Sequence, residues 1–366
     1  MRRTETTRRT FLRAMAGAGA AVAAGGCTSW AASRPQAVAK GFIWAYMPQF
    51  GMNMWGDIVT LPKRDGQIVS NLTDAEFALI ADSAYHSREA IRFDEALWRR
   101  LSAKLRTDGC NLLLIDVGEF VVYPSHPELA VKGSWTAQRL RDEVDRLTAL
   151  GFEVVPKINF SACHDFWLKD YARMLSTAKY YEVAADLIAD VCEIFNNPRF
   201  VHLGLDEEDK VDYQKRTTSL VRFRQGDLWW HDVLFLVREV ERHGARAWMW
   251  SDYVRYHEVS EFAKKMPRTV VQSPWTYHAV KPDFSDPLIR VFRTLTDNGY
   301  DVIPCGSNCY GKKENFPAMA AFCRANLPAE RLLGMLFAPW MQTREPYGRL
   351  LLEGSSLMAE ARARQS

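Results

Sequence analysis

The feature that most constrains the fold is a regular alternation of short apolar runs with longer amphipathic segments. Eight runs have the length and residue types of β-strands, at residues 41–46, 110–116, 152–158, 200–205, 245–251, 269–273, 300–305 and 332–338. Helical patterns follow at residues 93–107, 137–150, 181–195, 228–243, 287–298, 315–325 and 349–364. Strands that alternate with helices favour a parallel sheet, and eight such units favour closure into a (β/α)8 TIM barrel, an α/β fold.

The composition of the runs supports strands that are covered on both faces. The run at residues 110–116 contains Leu-Leu-Leu-Ile without a polar interruption, which is typical of a parallel sheet. A doubly wound open sheet is the alternative, but the GxGxxG fingerprint of its dinucleotide-binding form is absent after the first run. We therefore predict one barrel over residues 34–366, a length that suits a single large domain.

The first 33 residues have the pattern of an export signal. Arg8 and Arg9 stand in Thr-Arg-Arg-Thr-Phe-Leu-Arg, and a weakly apolar Ala/Gly stretch follows at residues 14–26, as in twin-arginine signals. Cys27 follows Ala-Gly-Gly, which resembles a lipoprotein cleavage box, with Ala24 where Leu is usual. We predict a periplasmic, extracellular or lipid-anchored protein, with a lipid at Cys27 as its possible membrane attachment.

Charge and cysteine usage argue against several classes of partner. The chain has 47 Lys and Arg against 44 Asp and Glu, and the excess is concentrated near the N-terminus. Nothing in this balance indicates a nucleic-acid partner. The six cysteines after Cys27 form no CxxC pair and no Cys/His cluster with zinc spacing, so no metal site is predicted. We expect buried free thiols, with a Cys305–Cys309 disulfide as the alternative.

Polar and aromatic residues follow the strand runs, at the end of a barrel where active sites form. They include Asp116, Glu119, Asn159, His164, Asp206, Glu207, Glu208, Asp209, Asp252, Trp275, Asn308, Tyr310, Trp340 and Gln342. A ring of carboxylates, amides and aromatics suits glycosidic bond cleavage, in which one acid protonates the leaving oxygen and a second group stabilises the oxocarbenium-like centre. The long segments 47–92 and 118–135 lie on the same side and are expected to shape a cleft.

The most specific motif is His-Leu-Gly-Leu-Asp-Glu at residues 202–207. It resembles the His-x-Gly-x-Asp-Glu motif of glycoside hydrolase family 20, the β-N-acetylhexosaminidases, at the end of the fourth barrel strand. The resemblance implies that Glu207 is the general acid/base and that Asp206 orients the acetamido group of the substrate. The acetamido carbonyl then attacks the anomeric carbon, so the protein supplies no nucleophile and needs no cofactor. The neighbouring carboxylate is expected to raise the pKa of Glu207.

Other segments resemble the family in the same order along the chain. They comprise residues 111–116 with Asp116, 156–164 with His164, 248–252 with Trp250 and Asp252, 271–275 with Trp275, then Tyr310 and Trp340. The resemblance implies that these side chains, together with Gln342, bind the sugar. The implied function is retaining, substrate-assisted release of terminal N-acetylhexosamine from glycans.

The sequence departs from the family pattern at several positions. No Arg ends the first strand, Lys157 and Asn159 stand where the family has Glu and Asp, and Gln342 stands where it has Glu. Two alternatives therefore stay open. One is a barrel glycosidase of other sugar specificity, with Asp206 or another carboxylate as a direct nucleophile, and the other is a non-catalytic carbohydrate-binding barrel.

Overall fold

Eight parallel strands form one sheet in the computed structural model, which describes residues 38–39, 41–55, 87–208 and 224–364. The strands are β1 (Ile43–Tyr46), β2 (Leu112–Asp116), β3 (Glu153–Lys157), β4 (Phe200–His202), β5 (Arg246–Trp250), β6 (Val271–Ser273), β7 (Cys305–Gly306) and β8 (Gly334–Phe337). Their order is β6-β5-β4-β3-β2-β1-β8-β7, and parallel bridges from Gln272 to Val302 and from Trp275 to Cys305 join the two edges. The predicted (β/α)8 barrel is confirmed.

Helices connect successive strands and cover the outside of the barrel. They are α1 (Glu95–Thr107), α2 (Ala137–Ala149), α3 (Ala178–Ile194), α4 (Gly226–Arg242), α5 (Tyr253–Tyr256), α6 (Val259–Lys265), α7 (Pro287–Asp297), α8 (Asn315–Asn326) and α9 (Gly348–Ala363). Short 3-10 turns lie at Gly118–Phe120, Pro127–Leu129, Phe166–Met174 and Glu345–Tyr347. No helix in the described ranges is long and apolar enough to cross a bilayer. The predicted signal and Cys27 lie outside the described residues.

The helices form where capping and apolar spacing agree. At the start of α2 the Thr136 side chain accepts a hydrogen bond from the backbone N–H of Arg139, which satisfies one of the free donors of the first turn. The buried residues Leu140, Val144 and Leu147 then repeat at intervals of four and three, so they form one stripe that faces the sheet. Residues Leu112–Ile115 of the adjacent strand β2 are fully buried, as the uninterrupted apolar run predicts.

The seventh strand differs from its prediction. The run at residues 300–305 was expected to be a strand, whereas the regular ladder covers only Cys305–Gly306. Pro304 interrupts the ladder because proline has no N–H to donate. The chain still runs between its neighbours, since Ile303 N donates to Gln272 O (2.9 Å) and Val302 N donates to Arg331 O (2.8 Å).

A small second sheet positions the segments that follow β1 and β2. Val121–Val122 pairs in parallel with Trp135–Thr136. The ring of Trp135 packs 4.9 Å from that of Phe120, and the ring of Phe50 packs 4.8 Å from the same phenylalanine. Aromatic contacts at these separations add to the apolar burial. The two segments are thereby fixed to each other at the carboxyl ends of the strands.

Candidate active site

A strained turn follows β4 and presents the acidic residues. Gly204, Leu205 and Glu207 all have positive φ, of 73°, 66° and 56°. Glycine is required at 204, because a Cβ there would lie 1.8 Å from Asn159 Oδ1. A leucine in the left-handed region costs about 1–3 kcal/mol, and such strain persists only where the surroundings over-determine it.

The loop after β3 supplies those surroundings. Asn159 Nδ2 donates to Asp206 Oδ1 (3.0 Å), and Ser161 Oγ donates to the Asp206 carbonyl (2.6 Å). The same Asn159 amide accepts from Leu205 N (3.4 Å) and Ser161 N (2.9 Å) through its oxygen. Trp167 Nε1 donates to the Asn159 carbonyl (2.9 Å) and fixes the loop in turn. Two loops that are distant in sequence therefore hold the turn as one unit.

His164 lies between the two carboxylates. Its Nδ1 is 3.1 Å from Asp206 Oδ1, and its Nε2 is 3.2 Å from Glu207 Oε2. His164 and Asp206 are buried, whereas the Glu207 side chain is 27% exposed. The carboxylate with the better access to a substrate is thus that of Glu207, and Asp206 forms the deeper part of the site.

The surroundings of Asp206 favour its ionised form. Burial acts to raise the pKa of Asp206, but the adjacent His164 ring, the Lys157 charge and the hydrogen bond from Asn159 outweigh it. The pKa of Asp206 is therefore held well below its usual range. The site therefore favours Asp206 as an anion, which can accept hydrogen bonds.

Glu208 has a different role from its two predecessors. Its side chain is buried in an ion pair with Arg224, and its Oε1 accepts from Ala162 N (2.7 Å). Arg224 Nη1 also lies 3.3 Å from Asp232 on α4. This network ties the acidic turn to α4. Asp209, the last acidic residue of the run, lies outside the described residues.

An aromatic wall faces the carboxylates across a cleft of about 170 Å³. Trp275 stacks on Tyr277 with ring centroids 4.9 Å apart, and Tyr277 stacks on Tyr310 at 6.3 Å. Trp340 meets Tyr277 edge to face at 6.4 Å and has a positive φ of 55°. The described residues that line the cleft are Met52, Met54, Trp55, His164, Asp206, Glu207, Trp275, Tyr277, Cys309, Tyr310 and Trp340.

Asp252 and Arg255 hold the first ring of this wall. Trp275 Nε1 donates to Asp252 Oδ2 (2.9 Å), and the Arg255 guanidinium lies 3.7 Å from the Trp275 ring centroid. Arg255 also donates to the Trp275 carbonyl. An indole fixed at its edge, face and backbone keeps one orientation, which suits a rigid platform for a ligand.

Six of the predicted site residues come together in the cleft, and four lie behind its walls. Asp206, Glu207, His164, Trp275, Tyr310 and Trp340 line the cleft. Asp116 is buried with Lys157, and Asp252 supports Trp275 from outside. Trp250 is fully buried with its ring 5.7 Å from that of Trp340, and Gln342 is buried beside Gln49. These four support the cleft instead of lining it.

Several lining residues were not predicted. Met52, Met54 and Trp55 come from the long segment after β1, where no motif distinguished them. Tyr277 and Cys309 were missed as well, although their positions carry a signal. Tyr277 lies two residues after Trp275, and Cys309 precedes Tyr310 directly. A search for aromatics near each strand end would have found Tyr277.

The six cysteines of the barrel are free thiols, so the Cys305–Cys309 disulfide is not formed. Five are buried, as expected, and Cys163 is partly exposed with its Sγ 3.1 Å from the Glu207 carbonyl. Burial raises the pKa of the Cys309 thiol to about 12, so this lining residue is a neutral group. Among the described residues no cluster of three His, Cys, Asp or Glu side chains could hold a metal ion.

Comparison of the sequence with protein-family profiles and with curated proteins finds no match. Comparison of the structure does find matches. A GH20 exo β-N-acetylglucosaminidase from Vibrio harveyi, in complex with N-acetylglucosamine, has a TM-score of 0.54 at 13% identity. The match covers 75% of this chain and 52% of that enzyme, so the chain spans about half its length. This chain has the barrel fold of glycoside hydrolase family 20.

Two further family 20 structures agree. The β-N-acetylhexosaminidase from Bacteroides fragilis matches with a TM-score of 0.54 and 13% identity, over 86% of this chain and 65% of that one. The GH20 β-N-acetylhexosaminidase from Streptomyces coelicolor A3(2) matches with a TM-score of 0.53 and 14% identity, over 73% and 61%. The resemblance to a divergent family 20 barrel, first indicated by the motif at residues 202–207, is confirmed.

The buried His202 generates a testable pH dependence. Its ring is fully buried, its Nδ1 accepts from Gly204 N (3.0 Å), and burial together with the Lys157 charge lowers its pKa well below the usual value. Below about pH 6.5 the unfolded chain binds a proton here that the folded chain does not, so acidification destabilises the fold. We expect the free energy of unfolding to fall by about 1.4 kcal/mol per pH unit below pH 6 because of this residue.

Urea unfolding at pH 5, 6 and 7.5 measures the effect. His202→Gln should lose this slope, whereas His243→Gln, at an exposed helix end, should keep it. Equal slopes in the wild type and His202→Gln would contradict the assignment.

Proposed function

We propose that the chain is a glycoside hydrolase that releases terminal N-acetylhexosamine from glycans by a retaining, substrate-assisted mechanism. One observation carries the proposal: Asp206 and Glu207 flank His164 in a cleft walled by Trp275 and Trp340. The family 20 fold supports it, because the structural neighbours are hexosaminidases and one of them binds N-acetylglucosamine.

The geometry suits a division of labour between the two carboxylates. Glu207 is partly exposed, so as the acid it would protonate the leaving glycosidic oxygen and then deprotonate the attacking water. Asp206 is buried and ionised, so it would accept the acetamido N–H and favour attack of the acetamido oxygen on the anomeric carbon. The acetamido oxygen first displaces the leaving group, and water then displaces the acetamido oxygen. Each displacement inverts the anomeric carbon, so the product retains the configuration of the substrate.

The alternative nucleophilic mechanism has less support. Among the described residues that line the cleft, only Asp206 and Glu207 carry carboxylates. A direct nucleophile would then have to be Asp206, which Asn159 and His164 hold as a buried anion. One feature favours a non-catalytic carbohydrate-binding barrel. Met52 and Met54 line the cleft, and the described part of the segment after β1 contributes no cation to its lining.

Replacement of the acid tests catalysis. Glu207→Gln keeps the size of the side chain but has no ionisable proton to transfer, so kcat on an unactivated N-acetylglucosaminide should fall by at least about 10²-fold. Glu330→Gln, at an exposed position far along the chain, is the matched control and should keep full activity. Undiminished turnover in Glu207→Gln would remove this residue from the mechanism. Sugar binding by a wild-type chain that releases no aryl group would support the binding protein instead.

Replacement of the second carboxylate tests the acetamido role. Asp206→Ala and Asp206→Asn should reduce kcat/KM for aryl N-acetylglucosaminides by at least about 10²-fold, because the charged partner of the acetamido N–H is lost. Any hydrolysis of the matched aryl glucosides, which lack that group, should change much less. The ratio of the two kcat/KM values in each variant is the measurement. An equal loss on both substrates would argue for a direct nucleophile or a purely structural role.

Export is proposed from the sequence of residues 1–33 alone. Arg8→Lys/Arg9→Lys should retain the full chain in the cytoplasmic fraction, because twin-arginine signals are read through this pair. Arg2→Lys/Arg3→Lys changes the same residue types outside the motif and should be exported normally. Cell fractionation with an antibody detects both outcomes. Identical distributions of the two variants would contradict twin-arginine export.

A further inference from the structure

A buried lysine lies beside the candidate catalytic carboxylates. Lys157 ends β3 and is fully buried, with Asp116 of β2 and His202 of β4 as its register partners. Its Nζ is 2.5 Å from Asp116 Oδ2 and 5.9 Å from the centroid of the Trp340 ring, which lines the cleft. The barrel therefore carries an ion pair in its interior, directly next to the cleft.

An ion pair at this position is not explained by stability. Removal of two charges from water costs several kcal/mol per ion, and apolar side chains of similar volume often replace a buried pair without loss. Asp116 itself shows the cost, since burial raises its pKa even though the Lys157 charge opposes the rise. The ammonium also has three protons, and the described residues give it one hydrogen-bond acceptor, Asp116. A role in the electrostatics of the site accounts for the pair better than a role in packing.

The groups that face this charge belong to the candidate site. They are Asp116 on β2, His202 on β4 and Asp206 in the turn after β4, and His164 and Glu207 lie beyond Asp206. The Lys157 charge lowers the pKa of both Asp206 and His202. It therefore favours the anion of Asp206 and the neutral form of His202. His164 is the other group that favours the Asp206 anion, and it also contacts Glu207.

We propose that Lys157, anchored by Asp116, is a positioning residue that keeps Asp206 charged in spite of its burial. The inference rests on the proposed function only for its catalytic consequence. A charged Asp206 accepts the acetamido N–H of the substrate, whereas a protonated carboxyl presents a weaker acceptor and a competing donor. Lys157 thereby frees His164 to serve Glu207, because the charge of Asp206 does not depend on His164 alone.

The decisive variant removes the pair without leaving an unpaired charge. Lys157→Met/Asp116→Asn keeps the volume of both side chains and is neutral, whereas Lys157→Met alone leaves Asp116 unpaired and is the variant most at risk of misfolding. Lys157→Arg keeps the charge and serves as the rescue variant. Measurement of kcat and KM on an aryl N-acetylglucosaminide from pH 4 to pH 8 compares them with the wild type.

The wild-type pKa of Asp206 lies below the measured range, so we expect Lys157→Met/Asp116→Asn to show an acid limb that the wild type lacks, with kcat/KM reduced by about twofold or more at pH 4. Activity should approach the wild-type value at pH 8, and Lys157→Arg should retain the wild-type profile. If the pair has a purely structural role, the activity should fall equally at every pH, and this loss should parallel the change in the unfolding midpoint. An unchanged profile, or such a uniform loss, would overturn the proposal.

A second measurement does not depend on activity. Urea unfolding from pH 3 to pH 6, with and without Asp206→Asn, isolates the contribution of Asp206, while the titration of His202 is present in both backgrounds and cancels. In the wild type the folded pKa of Asp206 is lowered, so its contribution to stability is present above about pH 3.9 and is lost as the pH falls.

In Lys157→Met/Asp116→Asn this rise with pH should shrink or disappear, because only His164 and Asn159 then oppose the effect of burial on the pKa of Asp206. The same rise in both proteins would refute the role of Lys157. A wild type that hydrolyses no aryl glycoside but shows the expected loss of the rise would refute the proposed function and leave the electrostatic role intact.

Discussion

The candidate site depends on the hydrogen bonds between the loop after β3 and the turn after β4. Asn159 and Ser161 bind both the side chain and the carbonyl of Asp206. These bonds hold Leu205 and Glu207 in left-handed conformations that an isolated chain would rarely adopt. Because β3 and β4 are adjacent and parallel, their carboxyl ends meet at one edge of the barrel, and the two loops can brace each other there.

Charge balance beneath the cleft follows from the same neighbourhood. Burial disfavours every ionised group, so a buried carboxylate stays ionised only where cations and donors offset the loss of water. Asp206 has such partners in His164 and Lys157, and Asn159 adds a neutral donor. Lys157 and Asn159 stand where the family 20 motif has two acids. Both departures therefore favour the anionic form of Asp206.

The candidate site could be predicted in part. The ends of the apolar runs located Asp206, His164 and Trp275, because a parallel barrel brings all such ends to one face. Asp252 and Trp250 were placed at the same face correctly but do not line the cleft, because Trp250 packs inside the barrel against His202 and Trp340 and Asp252 binds the edge of Trp275. Spacing fixes the height of a residue in the barrel. It does not fix the direction of its side chain once the strand has ended.

The sequence by itself determined the eight barrel strands, their order and the seven longest helices, because apolar periodicity reflects which faces must be buried. The acidic motif at residues 202–207 also located the candidate site from the sequence alone. Only the tertiary structure decided that Glu207 is exposed to the cleft while Glu208 is paired with Arg224, or that Asp116 pairs with Lys157. Those choices depend on backbone dihedrals after the strands and on partners distant in the chain. A pattern of neighbouring residues carries no record of either.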